Sequence, residues 1–417
     1  MIIQRDIYLQ QLIESIGNGM IKIITGLRRC GKSFLLLDLF HNYLLSNGTP
    51  PSHIIEISLD DWANKELRNP DSMLEYVKRQ ITDDAPYYLC IDEVQLLDEF
   101  ADILNSFLHI RNLDVYVTGS NSRFLSSDVV TEFRGRGDEI HIHPLCFREF
   151  VSAYSRSEEE AWEEYVLYGG LPALVSLPTP AKKTEYLKHL FRNVYMSDIR
   201  DRHDIRNEGE LEELIDFLCS SVGSMVNPLK LSNTFKSVKN KTIQPRTIKN
   251  YLMYLQDAFL VNQCKRYDIK GKRYINTPVK YYFEDIGTRN AWLGFRQMES
   301  SHLMENIIYN ELKVRGFEVD VGVVPLHGRD TDGRHIIKPL EVDFVANSGN
   351  RRYYIQSAFS MPTFAKKEQE ERSLTHIPDS FRKIIITGDN FGPQLNENGI
   401  LSIGIRKFLL NPNSLSE

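Results

Sequence analysis

The sequence predicts an α/β fold class: a parallel sheet, a mostly helical stretch, a helix-turn-helix with two strands, and a second α/β domain. Three observations carry this expectation. Residues 21–39 (IKIITGLRRCGKSFLLLDL) set a β-branched strand, a glycine-bounded loop and an apolar helix in immediate succession. Residues 87–94 (YYLCIDEV) read as an apolar strand ending in two carboxylates. Residues 229–280 carry twelve basic residues against two acidic ones, a local charge of +10 inside a chain of net charge −6.

The first stretch is the most informative. Gly26-Leu27-Arg28-Arg29-Cys30-Gly31-Lys32-Ser33 matches G-x-x-x-x-G-K-[ST], and Phe34 opens the helix. The glycines allow several backbone N–H groups to face one anion at the positive end of that helix. Lys32 is placed to reach β- and γ-phosphates, and the Ser33 hydroxyl to ligate Mg²⁺. Gly26, Leu27, Arg28, Arg29, Cys30, Gly31, Lys32, Ser33 and Phe34 are therefore the expected nucleotide-binding residues, with ATP and Mg²⁺ as the ligands.

Composition sets outer bounds. At 417 residues, 42 % hydrophobic and 25 % charged, the chain has the balance of an ordinary globular protein with two to four domains. Its negative net charge means that any nucleic-acid surface must be local. Cys30, Cys90, Cys146, Cys219 and Cys264 lie far apart, which argues against a disulfide framework or a zinc site and suits a reducing cytoplasm. No run of 18 uncharged apolar residues occurs, and the start MIIQRDIYLQQLIES is amphipathic with early charge, unlike a signal peptide. A cytoplasmic protein without a membrane span is expected.

In chain order, residues 1–20 lead as a helix into the first strand, residues 54–59 form a second strand and residues 71–82 a helix. In YLCIDEV, Asp92 is expected to bind Mg²⁺ through water and Glu93 to orient or deprotonate the attacking water. Gln95 follows as a weaker candidate for the same water. A helix over 99–110 precedes a strand at 114–118, closed by Gly119-Ser120-Asn121-Ser122. The polar residues after this strand, Ser120 and Asn121, are candidate γ-phosphate sensors or a plain turn. In Phe133-Arg134-Gly135-Arg136-Gly137-Asp138, arginines on a glycine-rich turn suit charge neutralisation on a γ-phosphate, in cis or from a neighbouring subunit; Arg136 is the candidate.

Taken together, GLRRCGKS, YLCIDEVQ, VTGSNSRFL, RGRG and HPLCFREF resemble one group of AAA-type ATPases of bacteria and archaea. The resemblance spans nearly the whole chain, and Tyr168-Gly169-Gly170-Leu171-Pro172 and Tyr195-Met196-Ser197-Asp198-Ile199 fit it too. It implies a P-loop NTPase core with a parallel sheet (1–145), a helical lid (146–222), a winged helix-turn-helix (223–285) and a C-terminal α/β restriction-endonuclease-like domain (295–405). It also implies ATP binding and hydrolysis. The cellular task, and whether the partner is a second copy or another protein, stay open.

Residues 223–285 read as helix, turn at 242–245, helix 246–258 and two strands around residues 268–272. In the second helix Ile248, Leu252 and Leu255 share one face, which leaves Arg246, Lys249 and Asn250 outward; Lys270, Lys272 and Arg273 lie on the wing. These six residues are the candidates for duplex DNA. The alternative is a module that only docks domains.

The last domain resembles a PD-(D/E)xK nuclease in layout. Glu305 and Asp343 match its acids, but Gln356 stands where the second strand acid belongs and Ala358 where the lysine belongs. A fold that has lost cleavage is the expected reading; Lys366 or Lys367 as a displaced cation is what would keep the active alternative. The functional expectation is an ATPase whose nucleotide state is coupled to DNA. Its rivals are a nucleotide-gated switch acting through a protein partner and an ATP-driven nuclease.

Overall fold

The computed structural model describes residues 2–119, 133, 135–205, 207–239, 242–329 and 335–416. They fall into two units. The first holds residues 1–144, 171–173 and 257–259; the second holds 145–170, 174–256 and 260–417.

The first unit starts with α1 (Asp6–Glu14) and is built on five parallel strands: β1 (Ile21–Gly26), β2 (Ile54–Ser58), β3 (Tyr87–Asp92), β4 (Leu113–Thr118) and β5 (Gly137–Ile142). Their order is β2-β3-β4-β1-β5, so β4 lies between the strand of the glycine loop and the strand of the acidic pair. Every residue of β1 is buried, as a strand covered on both faces requires. Even Lys22 is enclosed, its ammonium paired with Asp114 on β4. Ile21, Ile23, Ile57, Leu89, Ile91 and Val117 pack with Leu104 and Phe107 of α4 (Phe100–Phe107), and Met73 and Val77 of α3 (Pro70–Gln80), into the core on one sheet face.

The helix after the glycine loop, α2, runs unbroken over 32–46, with a π-wound stretch at Leu35–Phe40. The apolar run Leu35, Leu36, Leu39 and Phe40 is buried along it.

The second unit opens with α5 (Phe147–Ser152) and α6 (Glu158–Tyr168). A continuous helix α7 (180–203), α8 (Glu208–Ser220), α9 (Pro228–Lys239) and α10 (Pro245–Asp257) follow. The CFRE motif explains itself here: Cys146 caps α5, and Glu149 reaches back to the Cys146 N–H at 3.0 Å, a capping box.

The hairpin β6 (Val261–Asp268) and β7 (Arg273–Phe283) follows α10, then α11 (Ile286–Trp292), α12 (Ser300–Val314), β8 (Glu318–Arg329), β9 (His335–Ser348), β10 (Arg351–Ala358), α13 (Phe364–Thr375), β11 (Arg382–Thr387), β12 (Gln394–Leu395), β13 (Ile400–Gly404) and α14 (Ile405–Leu410). One sheet takes all eight of these strands, in the order β12-β13-β11-β10-β9-β8-β6-β7. The sheet thus takes strands from both sides of residues 285–295, where the expected boundary lies. The two strands read as the wing of a separate module pair with β8 (Arg266–Asp268 beside Val321–Val323) and form the edge of the C-terminal sheet. Edge pairing of a hairpin with a distant strand leaves no local signature in sequence.

The YGGLP motif is a packing site. Gly169 and Gly170 lie against Asp285, whose carboxylate accepts from Gly170 N at 2.7 Å and from Thr288 N at 2.8 Å, capping α11. A Cβ on Gly169 would meet that carboxylate at 2.3 Å.

Candidate functional site

The carboxyl ends of β1, β3 and β4 bring the candidate residues of the first unit together. Gly26 ends β1 at φ 138°, where a Cβ would lie 2.2 Å from Ile142 O, and Gly31 precedes α2 at φ 104°. Both conformations are open to glycine and strained for other residues. Between them the loop divides its residues. Leu27 and Cys30 point inward as anchors, with Cys30 Sγ donating to Ile142 O at 3.4 Å, while Arg29 is exposed at φ 73°. Lys32 is buried and its ammonium donates to Gly26 O and Leu27 O at 3.0 and 3.2 Å, so it lies over the loop's own concavity. Phe34 is half-buried in α2.

Across β4 from this loop, Ser33 Oγ donates to Asp92 Oδ1 at 3.0 Å. Thr118, buried at the end of β4, donates to the same oxygen and accepts from Glu93 N at 3.0 Å. Glu93 has φ 54°, a left-handed conformation that turns its side chain off the strand end; Gln95 donates to its carboxylate. Burial pushes the Asp92 carboxyl above its ordinary value, the hydrogen bonds from Thr118 and Ser33 oppose this, and the charges of Glu93 and Asp60 add to it. The hydroxyl of Ser33 and the carboxylate of Asp92 are hard oxygen donors of the kind Mg²⁺ takes, and they already share one point, so the residues fit the metal.

Thr118 and Arg5 were not singled out from the sequence. Thr118 precedes the Ser120–Asn121 turn by two residues; a polar residue on a strand end beside the acidic strand is the signal that could have found it. Arg5 donates from its guanidinium to Cys30 O at 3.1 Å and to His143 O at 2.6 Å, and so braces the glycine loop from behind. No motif marks it. Ser120, Asn121 and Arg134 lie outside the described residues.

Residues 18–151 match the family model of an AAA domain. The chain is 34 % identical over 414 residues, 98 % of each chain, to an uncharacterized protein of Haemophilus influenzae. The chain belongs to this AAA-domain family. An uncharacterized protein of Methanocaldococcus jannaschii, MJ1544, is 28 % identical over 330 residues, 76 % of this chain and 70 % of its own. Residues 159–299 match a second model, a domain of unknown function. Among solved structures, the Walker-type ATPase of Pyrococcus abyssi aligns with 70 % of this chain and 96 % of its own at 17 % identity and a TM-score of 0.49.

Within the AAA domain, Arg136 is not where a finger in cis requires it. It is exposed, and its carbonyl accepts from Ile21 N at 2.9 Å, at the amino end of β1. Gly137 pairs with Ile21, and Ile142 with Gly26. The loop is thus five register steps away, roughly 17 Å at about 3.3 Å per residue. Sequence order puts Arg136 just before β5; that this end lies opposite the loop follows only from the parallel pairing of β5 with β1.

In the second unit, Arg246 and Lys249 are exposed on α10 and Asn250 is half-exposed, while Ile248, Leu252 and Leu255 are buried, as the periodicity predicted. Lys270, Lys272 and Arg273 are exposed at the hairpin turn, although Lys270 Nζ donates to Pro325 O at 3.4 Å and Arg273 pairs with Asp268 at 3.5 Å. Lys280 does not belong to this surface. It is buried and its ammonium contacts Glu305 at 2.8 Å, Glu341 at 2.7 Å and Asp343 at 3.7 Å.

Glu305 and Asp343 are thus brought together as the sequence suggested, but Gln356 is not with them: its side chain accepts from Ser373 on α13 at 3.3 Å. The third carboxylate is Glu341, two residues before Asp343 and on the same face of β9. Lys366 and Lys367 pair with Glu370 and Glu371 along α13, so neither supplies a cation to the acids. No helix among the described residues is long and apolar enough to cross a membrane.

Proposed function

We propose that this protein is a Mg²⁺-dependent ATPase that couples its nucleotide state to a DNA-associated conformational change. The observation that carries the first half is the hydrogen-bonded chain Ser33–Asp92–Thr118–Glu93, which ties the glycine loop to the acidic strand through the strand between them. The loop amides and Lys32 hold the triphosphate, and Ser33 and Asp92 hold Mg²⁺. The metal, when bound, neutralises phosphate charge. Glu93 orients a water and accepts its proton, with Gln95 steadying the carboxylate. Arg136, at the amino end of β5, is placed for the site of a neighbouring copy rather than its own.

The DNA half is supported by the exposed basic residues Arg246, Lys249, Lys272 and Arg273 on a helix-turn-helix followed by a β-hairpin, a winged-helix arrangement suited to phosphate contacts. The domain over 295–405 is read as nuclease-like without cleavage. One observation favours a second reading, a nucleotide-gated switch acting on a protein partner: the hairpin is fixed into the C-terminal sheet and part of its charge is spent on Asp268 and Pro325.

ATP turnover by wild type and Lys32→Ala, with and without duplex DNA and at low and high salt, separates the two. Turnover stimulated by DNA, fading with salt and lost in the variant, is the expected result. Turnover indifferent to DNA, with no DNA binding at low salt, overturns the DNA half and leaves the switch.

A further inference from the structure

The carboxylates of the C-terminal sheet already have a cation. Glu305 on α12 and Glu341 and Asp343 on β9 surround the ammonium of Lys280, which arrives from β7. The lysine side chain is only 4 % exposed. Other contacts hold the acids in place: Tyr282 OH donates to Glu305 at 2.6 Å, and Ser357 N donates to the second oxygen of Asp343 at 2.8 Å. The backbone of Gly223 closes over Glu305, so that a Cβ there would lie 2.9 Å from its carboxylate.

This arrangement does not fit a divalent ion. Mg²⁺ or Mn²⁺ needs several oxygens at roughly 2.0–2.2 Å and open positions for water. Here the point shared by Glu305 and Glu341 is taken by Nζ, at the 2.7–2.8 Å of a charge-assisted hydrogen bond. The group that would complete a metal shell from β10, Gln356, is turned to Ser373. An ammonium brought in by a different strand thus stands where the layout of a PD-(D/E)xK nuclease calls for a metal.

We propose that Lys280 is the resident cation of the Glu305–Glu341–Asp343 cluster, so that the cluster excludes divalent metal and instead clamps the β6–β7 hairpin to the sheet and to α12. Exclusion is electrostatic: a second cation a few ångströms from a buried ammonium is repelled in low dielectric. The clamp is geometric, because Lys280, Glu305 and the β9 pair belong to three separate elements. Removing the ammonium leaves three convergent carboxylates uncompensated, which is the donor set of a divalent site. The inference rests on the nuclease-like reading only for its expectation about cleavage; the metal-binding arms stand without it.

The test is Mn²⁺ binding by the nucleotide-free full-length chain, followed by electron paramagnetic resonance. Wild type and Asp343→Asn are expected to take up equal amounts of Mn²⁺, since any ion at the first unit's site is common to both. Lys280→Ala is expected to take up one further Mn²⁺ per chain, lost again in Lys280→Ala/Asp343→Asn. A wild-type Mn²⁺ that Asp343→Asn removes overturns the proposal, as does a folded Lys280→Ala chain that gains none. If Lys280→Ala is unfolded by circular dichroism, recovery of structure on adding Mn²⁺ supports the proposal and failure to recover counts against it. Mn²⁺-dependent plasmid cutting abolished by Asp343→Asn would overturn the non-cleaving reading as well.

Discussion

Ser33 Oγ and Asp92 Oδ1 lie 3.0 Å apart, although 59 residues separate them in the chain. The contact crosses from the first turn of α2 to the end of β3, and Thr118 secures it by donating to the same oxygen. Ser33→Ala removes one of the two oxygen ligands offered to Mg²⁺. Wild type is expected to bind ATP more tightly with Mg²⁺ than with a chelator; in the variant that ratio falls at least about tenfold, or about 1.4 kcal/mol. Fluorescent-nucleotide titrations under both conditions measure it.

Glu93→Gln keeps the shape of the side chain and removes the proton acceptor. Turnover is expected to drop by roughly 10²–10⁴-fold while nucleotide affinity changes little. Phosphate release at saturating ATP reads the first quantity, and equilibrium binding the second. Wild-type turnover would assign the base elsewhere, with Asp60 the next acid beside Asp92.

Thr118 donates to Asp92 and accepts from the Glu93 N–H, and acts through both. Thr118→Val is expected to lower kcat roughly 10- to 100-fold with a much smaller change in KM. Thr118→Ser restores the hydroxyl and should recover most of the rate. Failure of the serine variant to recover would point to packing rather than positioning.

Arg136→Ala leaves single-chain ATP turnover within about twofold, because the side chain starts roughly 17 Å from its own loop. Measurement across a dilution series decides the matter. A loss that persists at the lowest concentration contradicts the register of β1 and β5; a loss that appears only at high concentration locates the arginine in a neighbour's site.

Burial pushes the Asp285 carboxyl up to about 6, against hydrogen bonds from Gly170, Thr288 and Gly287 N–H groups and with help from the Glu284 charge. Its ordinary value is 3.8, so over the interval between them the folded chain binds the extra proton. Stability from this group is therefore full below about pH 4 and is lost as the pH rises to about 6, by roughly 3 kcal/mol. Urea denaturation at both ends of that window should show this fall in wild type and a smaller one in Asp285→Asn. Equal slopes would mean that Asp285 is ionised throughout.

Sequence by itself determined the local chemistry. G-x-x-x-x-G-K-S between a β-branched strand and an apolar helix leaves few alternatives for the backbone, since the torsions at Gly26 and Gly31 are local properties. Strand ends marked by acids, and the buried face of α10 marked by Ile248, Leu252 and Leu255, were legible for the same reason: periodicity of 2 or 3.6 is written residue by residue.

Tertiary structure alone decided what meets across strands. That β4 separates β1 from β3, making Thr118 the link between Ser33, Asp92 and Glu93, depends on strand order, which no single segment encodes. That Arg136, just before β5, lies at the end of β1 away from the loop depends on the parallel pairing of the two strands. Lys280 is the clearest case. In sequence it is one of twelve basic residues and reads as part of a nucleic-acid surface, whereas β7 turns it inward against Glu305, Glu341 and Asp343. A charge shows in composition, but its partner is fixed only when the sheet assembles.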